Sequence, residues 1–338
     1  MVKKVLFVID NLSTGGAQRQ MVNLATGLKN CGYQVEFFCY AEGDLLAKPL
    51  YQAGIPIHRH IKASRYSFDV IRVLRKLIRD NHYDLVLSFL ATPNFYAIVS
   101  GRLAARNLPI VVSERFCDLP GGVPRTERLS RQFYRFANHV TVNSHHQREN
   151  LARKYPYLKG QLSTIYNGYD LDEFYPPETE PLNDPLRLLT IASVSPYKNG
   201  LCLIEALHIL QEKYHLAPRV DWIGHRWRRL DRLEYLNRME AKIAEYGLES
   251  QWQWLDQRSD IVEQLHQHDL LVHPSYGEGL PNVVCEAMAC GRPVIVSNVL
   301  DHARLVQDNV NGYLFDVNRP EELAEKIYRF ANLSAGER

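Results

Sequence analysis

Short apolar runs alternate along this chain with stretches in which apolar residues recur every three or four positions. Residues 4–9, 34–40, 85–89, 110–113 and 139–143 are runs of strand length. Between them Met21, Leu24, Ala25 and Leu28, and then Val70, Val73, Leu74, Leu77 and Ile78, keep helical spacing. Residues 97–105, 129–138 and 147–155 read as further helices. The second half repeats the rhythm, with strands at 186–192, 219–223, 252–255, 270–273 and 293–297 and helices at 201–214, 233–246, 261–266 and 283–289. Strands that are apolar without alternation are those buried on both faces, and strand–helix alternation is the pattern of a parallel sheet wrapped by helices.

The rhythm breaks once. Tyr166-Asn167-Gly168-Tyr169-Asp170 leads into Phe174-Tyr175-Pro176-Pro177, and a polar, proline-containing stretch follows to residue 185. Asn-Gly and Pro-Pro punctuate loops, and 338 residues are long for a single core. The expectation is an α/β protein of two doubly wound, Rossmann-like domains facing a cleft, 1–172 and 173–338. Ligands of such sheets bind beyond the carboxyl ends of the strands.

Charge sharpens that division. Residues 1–170 hold 23 Lys and Arg against 12 Asp and Glu, a net +11, and the remainder hold 17 against 26, a net −9. The basic half suits an anionic membrane surface or a phosphorylated substrate. Lys62, Arg65, Arg72, Arg75, Lys76 and Arg79 lie on or near one predicted helix. Arg125, Arg128, Arg131 and Arg135 lie on another, after Leu119-Pro120-Gly121-Gly122-Val123. These basic residues are not interleaved with aromatics, which argues against nucleic acid as a partner. The six cysteines form no C-x-x-C pair, so a reducing, cytoplasmic setting is expected. No apolar run approaches the roughly 20 residues that span a bilayer.

Candidate chemistry sits at strand ends. Gly277-Glu278-Gly279-Leu280-Pro281-Asn282 follows one predicted strand and runs into a helix that carries Glu286. Two carboxylates flanking a helix N-terminus suit a ligand rich in hydroxyls, because a carboxylate accepts from adjacent hydroxyls while the helix start offers N–H groups. Glu286 is flanked by Val283, Val284, Ala287 and Met288, so it is expected to face inward. Thr14-Gly15-Gly16-Ala17 opens the first helix and permits close approach to a phosphate. Ser193 and Lys198, in Ser193-Val194-Ser195-Pro196-Tyr197-Lys198-Asn199-Gly200, are placed for a diphosphate. Gly224 and Leu255 end two strands where a ribose or a base has room.

Taken together, these segments resemble retaining nucleotide-sugar glycosyltransferases of family 4, of the GT-B fold and similar to bacterial surface-polysaccharide transferases. The run from Glu278 to Asn298 is similar to that family's E-x7-E signature. The Gly15-Gly16 loop, residues 164–174, the Lys198 loop and residues 309–315 follow in the family's order. The resemblance implies that Glu278 contacts the donor sugar, that Gly279, Leu280, Pro281 and Asn282 lie along sugar and diphosphate, and that Glu286 holds the ribose. It implies that Lys198 and Gly16 approach the diphosphate, with Ser193 beside them and the base near Gly224 and Leu255. Glu278, Lys198 and Glu114 are the expected catalytic groups. Arg19, Glu114 and Arg115 are expected at the acceptor.

Three departures from the family pattern stand out. Ala192-Ser193 occupies the place of a common Gly-Arg, with Arg226, Arg228 and Arg258 as the candidate stand-ins for the absent cation. Val112-Ser113-Glu114-Arg115 occupies the place of a common histidine. The sequence stops at Arg338, before the terminal crossover helix that similar enzymes carry.

The implied reaction is transfer of a hexose or N-acetylhexosamine, with retention, from a nucleotide diphosphate sugar, UDP before GDP, to a lipid-linked glycan in bacterial surface polysaccharide assembly. No metal or other cofactor is expected. The N-terminal domain would take the acceptor, the C-terminal domain the donor, and the protein would sit peripherally on the inner face of the plasma membrane. The alternatives are an epimerase or phosphorylase on the same fold, which would alter or cleave the sugar without this acceptor, and a non-catalytic sugar-nucleotide binder.

Overall fold

The computed structural model describes residues 3–13, 15–64, 67–118, 122–179, 183–226, 230–334 and 336–337. Thr14, Arg65, Leu119, Pro120, Gly121, Arg228 and Arg338 lie outside the described residues. The chain forms two compact units, Met1–Gly168 and Tyr169–Arg338.

The first unit runs β1 (Lys4–Ile9), α1 (Gly16–Asn30), β2 (Gln34–Cys39), α2 (Lys48–Gln52), β3 (Ile57–Arg59), α3 (Phe68–Asn81), β4 (Leu85–Phe89), α4 (Ala91–Ala104), β5 (Ile110–Glu114), α5 (Arg125–Gln132), β6 (His139–Val142), α6 (His145–Lys154) and β7 (Leu162–Thr164). Its seven strands lie in the order β3-β2-β1-β4-β5-β6-β7, every pairing parallel. The second unit runs β8 (Arg187–Ile191), α7 (Gly200–Tyr214), β9 (Arg219–Ile223), α8 (Leu230–Glu245), β10 (Trp252–Leu255), α9 (Ile261–Gln267), β11 (Leu270–His273), α10 (Asn282–Ala289), β12 (Val294–Ser297), α11 (His302–Leu305), β13 (Tyr313–Phe315) and α12 (Pro320–Ala331). Its order is β10-β9-β8-β11-β12-β13, again parallel throughout.

Both sheets are doubly wound, and each reverses winding once, at β1/β4 and at β8/β11. The loops after those strand pairs diverge and open a crevice at the carboxyl edge. The continuous apolar runs have the expected cause: β11 and β12 are buried at every position, as central strands covered on both faces must be. At the β8 edge the indole of the buried Trp222 donates from Nε1 to the Ala192 carbonyl at 2.8 Å, which satisfies its one polar atom.

The helix expected over 129–138 starts earlier and is shorter. α5 begins after Pro124, whose fixed φ suits a helix start, and gives way to a 3-10 turn, Phe133–Phe136. The edge strands β3, β7 and β13 are three residues each and were not expected. At that length a strand has no periodicity of its own and exists because its neighbour offers a ladder.

Candidate functional site

The winding reversal of the second unit brings together two loops that are distant in sequence. The loop after β8 turns through a 3-10 segment, Pro196–Lys198, and ends at Asn199, which takes a left-handed conformation (φ 53°, ψ 43°). Asn tolerates that region because its short amide bonds locally. Here Asn199 Nδ2 donates to the Val317 carbonyl at 3.0 Å and fixes the turn that carries Lys198. The loop after β11 carries Ser275, Glu278 and the Gly279–Pro281 approach to α10. The two loops meet side chain to side chain, with Lys198 Nζ paired to Glu278 Oε1, and main chain to main chain, with Tyr276 N–H on the Tyr197 carbonyl at 2.8 Å.

Glu278 is held on one side only. Oε1 takes Lys198 and the Ser275 hydroxyl at 3.2 Å, and His273 Nε2 lies 3.3 Å from it without an aligned hydrogen bond. Among the described residues nothing hydrogen-bonds to Oε2, so a carboxylate anchored by one oxygen keeps the other for a ligand. Its side chain is 17% exposed. Burial alone would raise its pKa, but the Lys198 charge and the His273 imidazole outweigh that and hold it well below the usual carboxylate range. Beneath it lies a buried floor. His273 meets His302 edge to face at 5.7 Å between ring centroids. His302 Nδ1 donates to the Ser297 carbonyl at 2.7 Å, and the Ser297 hydroxyl donates to the Ser275 carbonyl. His273, Ser275 and His302 were missed in the sequence. The available signals were a histidine closing an otherwise apolar strand and a serine three residues before Glu278.

Glu286 is buried on α10, as its apolar flanks predict. Asn282 opens that helix and accepts from the Tyr169 hydroxyl at 3.0 Å through its side-chain oxygen. Leu280 is buried beside it. Gly224 (φ 151°) follows β9 with its N–H on the Leu255 carbonyl at 3.2 Å. A Cβ there would lie 2.2 Å from the Ala192 carbonyl oxygen, so only glycine fits between these strand ends. Ser193, beside Ala192, is half-buried.

Two of the three candidate stand-ins for the absent arginine, Arg226 and Arg258, make ion pairs with neighbouring aspartates. Arg258 pairs with Asp260 through Nε at 2.8 Å and Nη2 at 2.5 Å, and Arg226 reaches Asp256 at 3.4 Å. Asp170-Leu171-Asp172, the chain's only Asp-x-Asp, is an exposed turn in which Asp170 Oδ1 accepts from the Asp172 N–H.

The first unit has a different character. Gly16 opens α1 behind Gly15, and Arg19 follows one turn later with its N–H on the Gly15 carbonyl. Gln20 exchanges two hydrogen bonds with Gly168 main chain, Nε2 to O at 3.0 Å and N to Oε1 at 3.1 Å, which ties α1 to the segment leaving the unit. Arg115 stacks on Phe89 and donates to Asn167 Oδ1 at 2.8 Å. The catalytic role expected of Glu114 is not supported by its surroundings. It is 3% exposed, both oxygens take the Arg131 guanidinium at 3.1 Å, and Oε1 also takes the Tyr134 hydroxyl. A buried carboxylate with both oxygens already held by a guanidinium lacks the access to a substrate hydroxyl that a general base needs. Arg131 is therefore turned inward and separated from Arg125, Arg128 and Arg135, which are exposed.

The family model for Glycosyl transferases group 1 matches residues 172–337, and that for Glycosyltransferase Family 4 matches residues 14–173. The chain is 24% identical over 331 residues to the Escherichia coli UDP-Gal:alpha-D-GlcNAc-diphosphoundecaprenol alpha-1,3-galactosyltransferase, covering 93% of this chain and 84% of that one. It is 24% identical over 336 residues to the Campylobacter jejuni GalNAc-alpha-(1->4)-GalNAc-alpha-(1->3)-diNAcBac-PP-undecaprenol alpha-1,4-N-acetyl-D-galactosaminyltransferase, covering 96% of this chain and 88% of that one. Among solved structures, Anabaena HepE in complex with UDP and glucose matches with a TM-score of 0.83 at 22% identity, over 99% of this chain and 91% of that one.

Proposed function

The chain belongs to the glycosyltransferases, with a group 1 domain after a family 4 domain in the GT-B fold, and from that premise we propose that it moves a hexose or N-acetylhexosamine from UDP to a lipid-linked glycan, with retention and without a metal, in bacterial surface polysaccharide assembly. The observation that carries the donor side is the convergence of Lys198 and Glu278 at the β8/β11 reversal, next to the N-terminus of α10 and the buried Glu286. Lys198 is a point charge for the diphosphate. Glu278 Oε2 accepts from sugar hydroxyls, and Glu286 accepts from the ribose. The E. coli and C. jejuni relatives support the acceptor class, since both are named for transfer to diphosphoundecaprenol-linked sugars, and the E. coli name supports UDP.

The step balances without an enzyme base. The bond from C1 to the β-phosphate oxygen breaks as the acceptor oxygen bonds to C1 on the same face. The acceptor proton passes to the departing phosphate oxygen. What the protein supplies is charge and oriented N–H groups at the leaving diphosphate, placed before the reaction begins. Glu114 has no part in this step.

UDP is expected to raise the unfolding temperature more than GDP does, because a ligand that binds only the folded state stabilises it by mass action. Glu286→Ala should lose that shift while unfolding at nearly the wild-type temperature without ligand. Product anomers read by NMR from a UDP-sugar and a polyprenyl-diphosphate glycan test retention, and activity unchanged in EDTA tests metal independence. No transfer with any such pair, or equal shifts from UDP in both proteins, refutes the assignment.

The acceptor side includes attachment to an anionic membrane surface. No helix among the described residues is long and apolar enough to cross a membrane. α3 exposes Arg72, Arg75, Lys76 and Arg79, and the α5 segment exposes Arg125, Arg128 and Arg135 with Leu129 and Phe136. Cosedimentation should capture the protein on vesicles containing phosphatidylglycerol and leave it in solution with neutral ones. Each of Arg72, Arg75 and Lys76 changed to Glu should weaken capture by more than the roughly 1 kcal/mol that one basic residue contributes near such a surface. Equal partition onto both vesicle types overturns this attachment.

A further inference from the structure

Two buried histidines under the donor-side carboxylate have no role in the transfer step. His273 is 1% exposed and neither ring nitrogen has an aligned hydrogen-bond partner, although Nε2 lies 3.3 Å from Glu278 Oε1. His302 is also 1% exposed, and its Nε2 has no partner either. Leaving such nitrogens unpaired costs free energy unless another state of the site uses them. His302 is fixed as the neutral Nδ1–H tautomer by its bond to the Ser297 carbonyl, and burial with the neighbouring His273 pushes its pKa down to about 4. Its Nε2 is thus a bare acceptor on the ring that His273 touches.

The second observation is the crowding on Glu278. Lys198, Ser275 and His273 all approach Oε1, and only Lys198 brings a charge there. If Lys198 turns its charge to a diphosphate, it gives up part or all of its hold on this oxygen. Complete departure would strand a mostly buried carboxylate without a cation, a costly arrangement. The charged groups facing His273 are Glu278 and Lys198, and the other titratable ring against it is His302. His273 is therefore the group placed to supply the missing charge.

We propose that His273 is a positioning residue for Glu278: when Lys198 turns to the diphosphate, the imidazole takes a proton from solvent, holds Oε1 in place of the lysine and keeps Oε2 aimed at the sugar. The inference rests on the assignment of Lys198 to the diphosphate. The forces have the right sign. In the unliganded site burial depresses the imidazole's affinity for a proton, the Glu278 carboxylate raises it and the Lys198 charge lowers it, with a net depression. Departure of Lys198 removes one of the two depressing effects and leaves burial alone to oppose the carboxylate. The imidazolium then needs acceptors; Glu278 Oε1 lies 3.3 Å from its Nε2, and the His302 ring, with its unpartnered Nε2, is 5.7 Å away between centroids.

Donor binding is then linked to proton uptake. Affinity should fall as pH rises between the free-state pKa of His273, below its ordinary value, and the higher value in the complex. The slope approaches tenfold per pH unit where uptake is complete. Titration calorimetry of the full-length protein with UDP, in two buffers of different ionisation enthalpy, counts the protons. The phosphate of UDP itself titrates in both proteins, so the readout is wild type against His273→Gln, whose amide can donate to Oε1 but cannot take a proton. Wild type should take up more protons per UDP than His273→Gln, while the variant keeps part of the turnover that His273→Leu loses. Equal proton counts overturn the proposal. UDP binding unchanged by Lys198→Ala overturns the donor-site assignment instead. If His273→Gln does not fold, histidine ring NMR of the wild type tests the same protonation directly. The His273 signals should move to the imidazolium position when UDP is added, and an unchanged neutral ring overturns the proposal.

Discussion

Lys198→Ala is expected to lower kcat/KM for sugar transfer by about 10²–10³-fold, the usual cost of removing one preorganised group that stabilises developing negative charge. The diphosphate gains charge as C1–O breaks, so the lysine is worth more in the transition state than with intact donor, and kcat should fall more than KM rises. Lys198→Arg should recover only part of the loss, because a forked planar cation does not reproduce a point charge in a turn fixed by Asn199. A companion variant separates this from a general weakening of the site. In the unliganded protein Lys198 is neutralised by Glu278, so binding a diphosphate competes with that pair. Glu278→Gln removes the competitor and should bind UDP at least as tightly as wild type while transferring sugar far more slowly. Calorimetry and initial rates on the same preparations check both. Weaker UDP binding by Glu278→Gln, or near-normal transfer by Lys198→Ala, contradicts the assignment.

That pairing also marks where the sequence stops speaking. Most strands of the two sheets were readable because buried parallel strands are apolar along nearly their whole length, as β1, β11 and β12 are. Glu286 was readable as an inward residue from its apolar neighbours. Lys198 and Glu278 were each visible as candidates at strand ends, but their contact spans 80 residues and depends on β11 lying next to β8 instead of following β10. Strand order is set by tertiary packing, which leaves no local pattern. The same limit explains His273 and His302, which close or follow apolar strands and looked like ordinary strand-end residues. It explains Glu114 in the opposite sense. Glu114 was expected among the catalytic and acceptor-side residues, and only the approach of α5 to the end of β5 reveals that Arg131 covers the carboxylate.

Arg131→Ala is expected to destabilise the first unit by about 3–5 kcal/mol, the range for stranding one partner of a buried ion pair. Arg131 is 1% exposed and serves two carboxylates at once, Glu114 through Nε and Nη2 and Asp118 through Nη1 at 2.8 Å. Lys154 on α6 reaches Asp118 Oδ2 at 2.8 Å, so two cations balance two anions in the native cluster. Removing Arg131 leaves Lys154, 43% exposed, to offset both. Asn94 extends the network by donating to the Tyr134 hydroxyl and the Ser113 carbonyl, each at 3.0 Å, so the loss reaches from α5 to the end of β5. The double variant Arg131→Met with Glu114→Gln should recover much of the stability, because a pair replaced by groups of similar volume leaves no unpaired charge. The pH dependence has a definite sign. Burial alone would raise the Asp118 pKa, but Lys154 and Arg131 outweigh it and hold the carboxyl below its ordinary value. Its contribution is therefore fully present above the unfolded pKa of about 3.9 and lost as pH falls through the lower folded value. The gap in unfolding temperature between wild type and Arg131→Ala, followed by calorimetry, should be widest near neutral pH and close as the medium is acidified below about pH 4. A gap that stays constant across that range would mean that Arg131 acts through packing alone and that its charge contributes nothing to the fold.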